Sequence, residues 1–347
     1  MTDCQKGGCS KKRGIILQWH ITHRCNLRCI HCYQETFRGR DLSLQQLLEI
    51  LEQFRELVEY GKERYGWLKG HINITGGEPF AHRNFLELLE VFHQQEWLSF
   101  GILTNGSFID RTMARRLREL SPSYVQVSLE GGEKVHNRIR GEGNFARTLE
   151  AIRNLQAAGV RTMIAFTAHA QNYKEFPAVA RVGVELRVAK VWADRMIPWG
   201  QGASQHVLSP EQTQEFFQLM FQARKEAQNS QTQISMHRAL QFLEGGQWPY
   251  YCTAGDTLIT VMPQGEVYPC RRMPIEVGNA FQNPLLELYR SHSLLQKLRD
   301  KKNISSGCEG CRYNPLCRGG LKCLSYALTG NPFVRDPGCW LENTTSI

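Results

Sequence analysis

The stretch IILQWHITHRCNLRCIHCY, residues 15–33, decides how the rest of the chain is read. Residues 15–21 form an apolar run with the aromatic and β-branched content of a strand. Three cysteines follow at once, Cys25, Cys29 and Cys32. A structural zinc site closes its tetrahedron with four ligands, whereas a metal meant for chemistry keeps one position open. Three thiols just beyond a first strand therefore point to an open site at the C-terminal mouth of a β/α barrel, where reacting groups collect. Two other readings stay open on these residues alone. A zinc ion could recruit His20, His23 or His31 as a fourth ligand, and Cys29 with Cys32 could form a redox pair that leaves Cys25 unexplained.

Outward from that strand, apolar runs alternate with helical periodicity. Strands are expected at 15–21, 71–75, 100–104, 124–129, 161–168 and 184–192, with helices at 42–61, 82–95, 110–120, 144–159 and 172–183 between them. This makes six βα-like units of about 30 residues each, fewer than the eight that close a full barrel. The fold class expected is α/β: a partial (β/α)6 barrel of the TIM type over residues 15–195. Residues 196–251 read as a linker, rich in Gly, Pro and Ser at first, with a bridging helix over 210–228. After Cys252 the texture changes to short strands, turns and cysteines, with a hairpin turning at Pro263-Gln264-Gly265 and a helix over 284–300. Residues 252–347 are thus a small cysteine-rich domain, and residues 1–14 a flexible tail.

At 347 residues and 41% hydrophobic content the chain is long and apolar enough for such cores. It has no run of eighteen apolar residues and its first residues lack the apolar region of a secretory signal, so a cytoplasmic protein is expected, with no membrane partner. Twelve cysteines, absent from 33 to 251, suit metal binding better than disulfides in such a chain.

Cys25, Cys29 and Cys32 match the C-x3-C-x2-C signature of the radical S-adenosylmethionine (SAM) enzymes, and the chain resembles that family. The resemblance implies a [4Fe–4S] cluster whose fourth iron binds SAM; reductive cleavage of SAM then yields a 5′-deoxyadenosyl radical. It also implies roles for the loops that end successive strands. In TGGEPF (75–80), which resembles the family's GGEP motif, Gly76, Gly77, Glu78 and Pro79 would hold the methionine ammonium, with the glycines permitting close backbone approach. Asn105 in LTNG and Ser128 in SLEGG would serve the SAM ribose or carboxylate, and Arg140 would pair with the carboxylate. His31 and Tyr33 would pack near the adenine or simply cover the cluster.

The arrangement of Cys252, Cys270, Cys308, Cys311, Cys317, Cys323 and Cys339 resembles the seven-cysteine SPASM domain of one radical SAM branch, which holds two auxiliary [4Fe–4S] clusters. By that resemblance Cys308, Cys311, Cys317 and Cys339 bind the outer cluster, and Cys252, Cys270 and Cys323 the inner one. One departure stands out: the sixth cysteine usually falls three residues beyond the fifth, where this chain has Leu321 and delays the thiol to Cys323. A zinc ribbon remains the other reading of the C-x2-C pair. Cys4 and Cys9 are left over in the polar tail. The formal charge of +9 raises the question of nucleic acid. Three filled clusters would lower the charge to roughly +5, so the basic excess gives little reason to invoke it.

The resemblance implies an oxidoreductase or maturase that abstracts hydrogen from a peptide or protein substrate, leaving a thioether, a carbon–carbon crosslink, an oxidised residue or an epimerised one. The partners expected are that substrate and an electron donor such as flavodoxin or ferredoxin. Only fourteen residues precede the first strand, too few for a leader-binding module of about 80 residues, so a separate leader-recognition protein or another surface is expected to grasp the substrate. A tetrapyrrole-modifying enzyme of haem biosynthesis is the enzyme alternative. An iron–sulfur electron carrier or a zinc-binding interaction protein is the non-enzyme one.

Overall fold

The computed structural model describes residues 14–246 and 249–342, so Cys4 and Cys9, with nearly all of the expected tail, lie outside the described residues. The chain begins with β1 (Ile16–His20), α1 (Leu44–Tyr65), β2 (Gly70–Thr75), α2 (Phe85–His93), β3 (Leu98–Thr104), α3 (Arg111–Leu120) and β4 (Tyr124–Ser128). Two helices follow, α4 (Glu133–Arg140) and α5 (Asn144–Ala157), then β5 (Thr162–Ala168), α6 (Phe176–Glu185), β6 (Lys190–Arg195), α7 (Pro210–Glu226) and β7 (Gln233–Ser235). The caps show why the helices sit where they do. Ser43 with Gln46 and Ser209 with Gln212 form reciprocal capping boxes at the starts of α1 and α7, and Gly66 ends α1 in the left-handed conformation. The buried residues of α1, from Leu47 through Ile50, Leu51 and Phe54 to Leu57 and Val58, recur at three- and four-residue steps.

Neighbouring strands from β1 through β7 pair in parallel and in sequence order. On β1 the fully buried Leu17 and Trp19 belong to the hydrophobic core with Phe54, whereas Gln18 between them lines a cavity. Strands β1 through β6 all contribute to that same cavity, and Trp192 Nε1 on β6 donates to Gln126 Oε1 on β4 at 2.9 Å. The sheet is therefore curved into an open barrel with the cavity inside.

Three expectations needed correction. The sixth strand begins at Lys190, not at 184, because α6 continues to Glu185 and the chain turns through Arg187 at φ +52°. Its valines had read as strand, yet Val188 packs the helix end into the core. Gly183 permits this packing, since a Cβ there would lie 2.3 Å from Val191 Cγ2. The helix expected at 284–300 is two, α8 (Leu285–Ser291) and α9 (Ser293–Arg299), broken where extended His292 turns its side chain to cap α9. The linker holds a seventh parallel strand, β7, besides its helix.

The C-terminal residues form the expected hairpin, β8 (Leu258–Val261) and β9 (Glu266–Tyr268), with β10 (Gly278–Asn279) beside it. They do not build a separate sheet. β8 pairs in parallel with β1, so one ten-stranded sheet runs through both halves of the chain. Two short helices, α10 (Asn314–Cys317) and α11 (Lys322–Thr329), carry the last cysteine-rich segment.

Candidate active site

Cys25, Cys29 and Cys32 stand in the loop after β1, and all three line one cavity of about 250 Å³ at the C-terminal ends of the barrel strands. Each is a free thiol. Burial pushes the Cys25 thiol up to about 11, and burial likewise raises Cys29 and Cys32. Donors converge on the sulfurs. The Leu27 N–H approaches Cys25 Sγ at 3.4 Å, Asn105 Nδ2 lies 3.9 Å from the same sulfur, and Arg140 Nη1 lies 3.8 Å from Cys29 Sγ. Such donors stabilise anionic sulfur, which is what thiolates and cluster sulfides present. Among the described residues, no three His, Cys, Asp or Glu side chains form a group placed to hold a single metal ion. The donor set suits a larger group that spans the three thiols.

Of the residues expected to hold SAM, Tyr33, Gly76, Gly77, Asn105, Ser128 and Arg140 line this cavity, as does His31. The two glycines are required by packing: a Cβ on Gly76 would lie 2.7 Å from the Thr22 carbonyl oxygen, and one on Gly77 would lie 2.4 Å from that of Arg24. Glu78 and Pro79 lie elsewhere. Pro79 is buried at the start of a short 3₁₀ turn. The Glu78 carboxylate is fully buried off the cavity wall and accepts from Thr104 Oγ1 at 2.7 Å, the Asn105 N–H at 2.8 Å and the Phe80 N–H at 3.4 Å. Both oxygens are thus engaged, and burial pushes the group up to about 7. In this arrangement Glu78 ties the glycine loop to the end of β3.

Arg140 closes α4, a helix that sequence periodicity missed in the polar run HNRIR. Its Nη2 donates to Glu130 Oε1 at 2.6 Å and its Nε to the same oxygen at 3.2 Å. Glu130 also accepts from the Thr167 N–H at 2.8 Å, and His31 Nε2 lies 3.5 Å from its Oε1. Burial alone would raise this carboxyl, but Arg140 and His31 overcome it and hold Glu130 well below the usual carboxylate range. The His31 ring stacks on His169 at 6.1 Å, and burial holds His169 near 4. Glu130 was legible only as an acid in the loop after β4, as Glu78 is in the loop after β2.

The supposed linker forms a strap over the cysteine loop. The Gly202 N–H donates to the Cys32 carbonyl at 2.8 Å, and Trp199 Nε1 donates to Glu35 at 2.7 Å. Gly200 and Gly202 make this approach possible, because Cβ atoms there would lie 2.6 Å from the Tyr33 and 2.9 Å from the His31 backbone. From the other side Arg271, just past Cys270, donates to the Tyr33 carbonyl at 2.9 Å.

The same cavity is lined by Trp192, Asp194, Arg195 and Arg272. Asp194 is paired with Arg272, and Arg238 Nε lies 3.8 Å away; these arginines overcome the effect of burial and lower its pKa. Arg195 forms a buried bidentate pair with Asp336 at 2.8 and 2.6 Å. Burial raises the thiols of Cys252, Cys270 and Cys323, Cys270 to about 11, and the neighbouring Cys252 and Cys270 raise Cys323 further. The delayed cysteine reaches this set because Leu321 is extended and α11 starts at Lys322. Cys308, Cys311, Cys317 and Cys339 line a second cavity together.

The profile of the radical SAM superfamily matches residues 19–182, and that of an iron–sulfur cluster-binding domain, SPASM, matches residues 252–312. The chain is 24% identical to the Fe-coproporphyrin III synthase of Methanosarcina barkeri (strain Fusaro / DSM 804), over 96% of this chain and 89% of that protein. It is 28% identical to the mycofactocin maturase MftC of Mycolicibacterium smegmatis (strain ATCC 700084 / mc(2)155), over 94% and 82%. In fold it is similar to Streptococcus suis SuiB bound to S-adenosylmethionine, with a TM-score of 0.74 and 18% identity over 95% of this chain and 78% of SuiB. The chain belongs to the radical SAM superfamily and carries a C-terminal SPASM domain.

Proposed function

We propose that this chain is a peptide or protein maturase that works between two iron–sulfur sites. One observation carries the reading: a single cavity joins the three N-terminal thiols to the Trp192, Asp194 and Arg272 wall, and Arg272 also interacts electrostatically with Cys270 and Cys323. A substrate seated there has a SAM site on one side and the inner auxiliary site on the other. Cys25, Cys29 and Cys32 would hold the first [4Fe–4S] cluster, and Gly76, Gly77, Asn105, Ser128 and Arg140 would hold SAM. Bound together, these groups supply a radical able to abstract hydrogen.

The protein's own residues prepare that event. Glu130 fixes Arg140 beside Cys29, the strap through Gly202 and the Arg271 contact hold the cysteine loop, and Glu78 sets Asn105 and the glycine loop. Cys252, Cys270 and Cys323 would hold the inner auxiliary cluster, and Cys308, Cys311, Cys317 and Cys339 the outer one. An electron donor such as flavodoxin or ferredoxin would serve the first site, a separate protein could present the leader of the substrate, and a cytoplasmic setting would keep the thiols reduced. Among the described residues no helix is long and apolar enough to cross a membrane.

A second reading, tetrapyrrole modification, is favoured by the Fe-coproporphyrin III synthase among the relatives. One comparison separates the two. The purified protein is titrated with coproporphyrin under anaerobic conditions and, separately, co-expressed with short peptides encoded beside its gene. A changed peptide mass with no Soret shift supports the maturase. A Soret shift followed by a changed porphyrin mass would replace it with the tetrapyrrole reading.

A further inference from the structure

Lys322 is a buried cation without a carboxylate. The residue is 5% exposed, and among the described residues no Asp or Glu forms an ion pair with it. Its ammonium lies 3.5 Å from Ser305 Oγ, 3.4 Å from the Arg318 carbonyl oxygen and 4.9 Å above the Phe333 ring. By contrast Arg272, the cation beside Cys270 and Cys323, is neutralised by Asp194, and Arg195 is neutralised by Asp336. A buried ammonium with only neutral partners costs several kcal/mol, so the position calls for an anion.

The anions it can face are sulfur. The Lys322 peptide N–H is directed at the Cys252 thiol, and Cys323 is the next residue, so the backbone touches the inner set. The side chain reaches toward the outer set, ending at the carbonyl of the residue after Cys317 and interacting electrostatically with Cys308 and Cys317. Four thiolates around a [4Fe–4S]²⁺ cluster leave about −2, and three leave about −1. Reduction of either cluster adds a further negative charge.

We propose that Lys322 is the shared counter-ion of the two auxiliary clusters, stabilising both in their reduced forms and so raising both reduction potentials. The proposal rests on reading the seven C-terminal cysteines as two cluster sites. Because one ammonium interacts electrostatically with Cys252 of the inner set and with Cys308 and Cys317 of the outer one, its removal must be felt at both together.

The test uses the full-length, anaerobically reconstituted protein with Lys322→Met, which keeps length and burial but removes charge, and Lys322→Arg, which keeps charge. Iron and sulfide per chain are measured first, then the potential of each cluster by redox titration followed by electron paramagnetic resonance. With Lys322→Met both auxiliary signals should become reducible only at more negative potential, while the N-terminal cluster keeps its own; Lys322→Arg should stay near wild type. Loss of both auxiliary clusters from Lys322→Met with full loading of Lys322→Arg would also support the counter-ion. A shift at one auxiliary cluster only, a shift at neither, or equal damage from both variants would overturn it. Wild type holding only about four irons would mean that the two-cluster reading itself had failed, before any Lys322 variant is compared.

Discussion

Two buried carboxylates, Glu130 and Glu78, are shifted in opposite directions, and their roles follow from the sign. Glu130 is held well below its ordinary range against burial by Arg140 and His31. It contributes stability above the unfolded carboxylate range, and that stability is lost as pH falls toward the depressed folded value. Glu130→Gln leaves Arg140 buried beside Cys29 without its counter-charge. Breaking a buried pair from one side costs about 3–5 kcal/mol. Denaturant unfolding of the apoprotein at pH 7 should show a loss of that order, and a loss under about 1 kcal/mol would mean that another group neutralises Arg140. Glu78 is raised from 4.5 to about 7, first by burial. Between those values the folded state keeps a proton that the unfolded state has released, so its contribution to stability falls as pH rises from 4.5 to 7 and is level above. Wild type should therefore lose stability relative to Glu78→Gln across that window. A difference that is constant from pH 4.5 to 8 would show that the carboxylate is ionised throughout. The importance of Glu78 was legible in TGGEPF, but its protein partners were not, because Thr104 and Asn105 belong to another strand end. The role of Glu130 in SLEGG was hidden for the same reason: His31 is remote in sequence, and Arg140 sits on a helix that polar periodicity hides.

At the scale of elements, the strand-ending loops could be read because each follows an apolar run and each carries residues unusual for a plain turn. The strap could not. Residues 194–209 lack periodicity, and a segment rich in Gly and Pro reads as a linker until its glycines are seen against the backbone of His31 and Tyr33. Gly202→Val places branched carbons where the His31 backbone already lies and should lift the strap from the Cys32 carbonyl. Hydrogen exchange at residues 199–204 should then quicken, and iron bound through Cys25, Cys29 and Cys32 should be lost faster on exposure to oxygen. Unchanged exchange and unchanged iron retention would mean that the strap has no part in guarding the site. The α6–β6 boundary failed for a related reason. Valines favour strands intrinsically, but the close approach of Gly183 to Val191 lets Val188 serve the helix end instead.

For the whole molecule, six βα units and a cysteine-rich C-terminal segment were legible from alternating patterns and cysteine spacing. The join between them was not. β8 adds in parallel to the free edge of β1, a pairing across some 240 residues that local pattern cannot encode. This join matters for function, because β1 leads into the first cysteine loop while β8 and β9 lead into Cys270 and Arg271. The sheet thus fixes the spacing between the first cysteine loop and the Cys270–Arg271 segment. The division of ten cysteines into three sets of three, three and four is the central claim, and iron stoichiometry beside 5′-deoxyadenosine formation tests it most directly. Wild-type protein, reconstituted anaerobically, should hold about twelve irons, and alanine replacement of any one set should remove about four. Loss of Cys25, Cys29 and Cys32 should abolish 5′-deoxyadenosine formation from SAM and dithionite, whereas loss of Cys252, Cys270 and Cys323 should leave it in place with the outer cluster filled. Zinc in place of iron, iron unchanged after removal of a set, or SAM cleavage that survives without the first three cysteines would contradict the account.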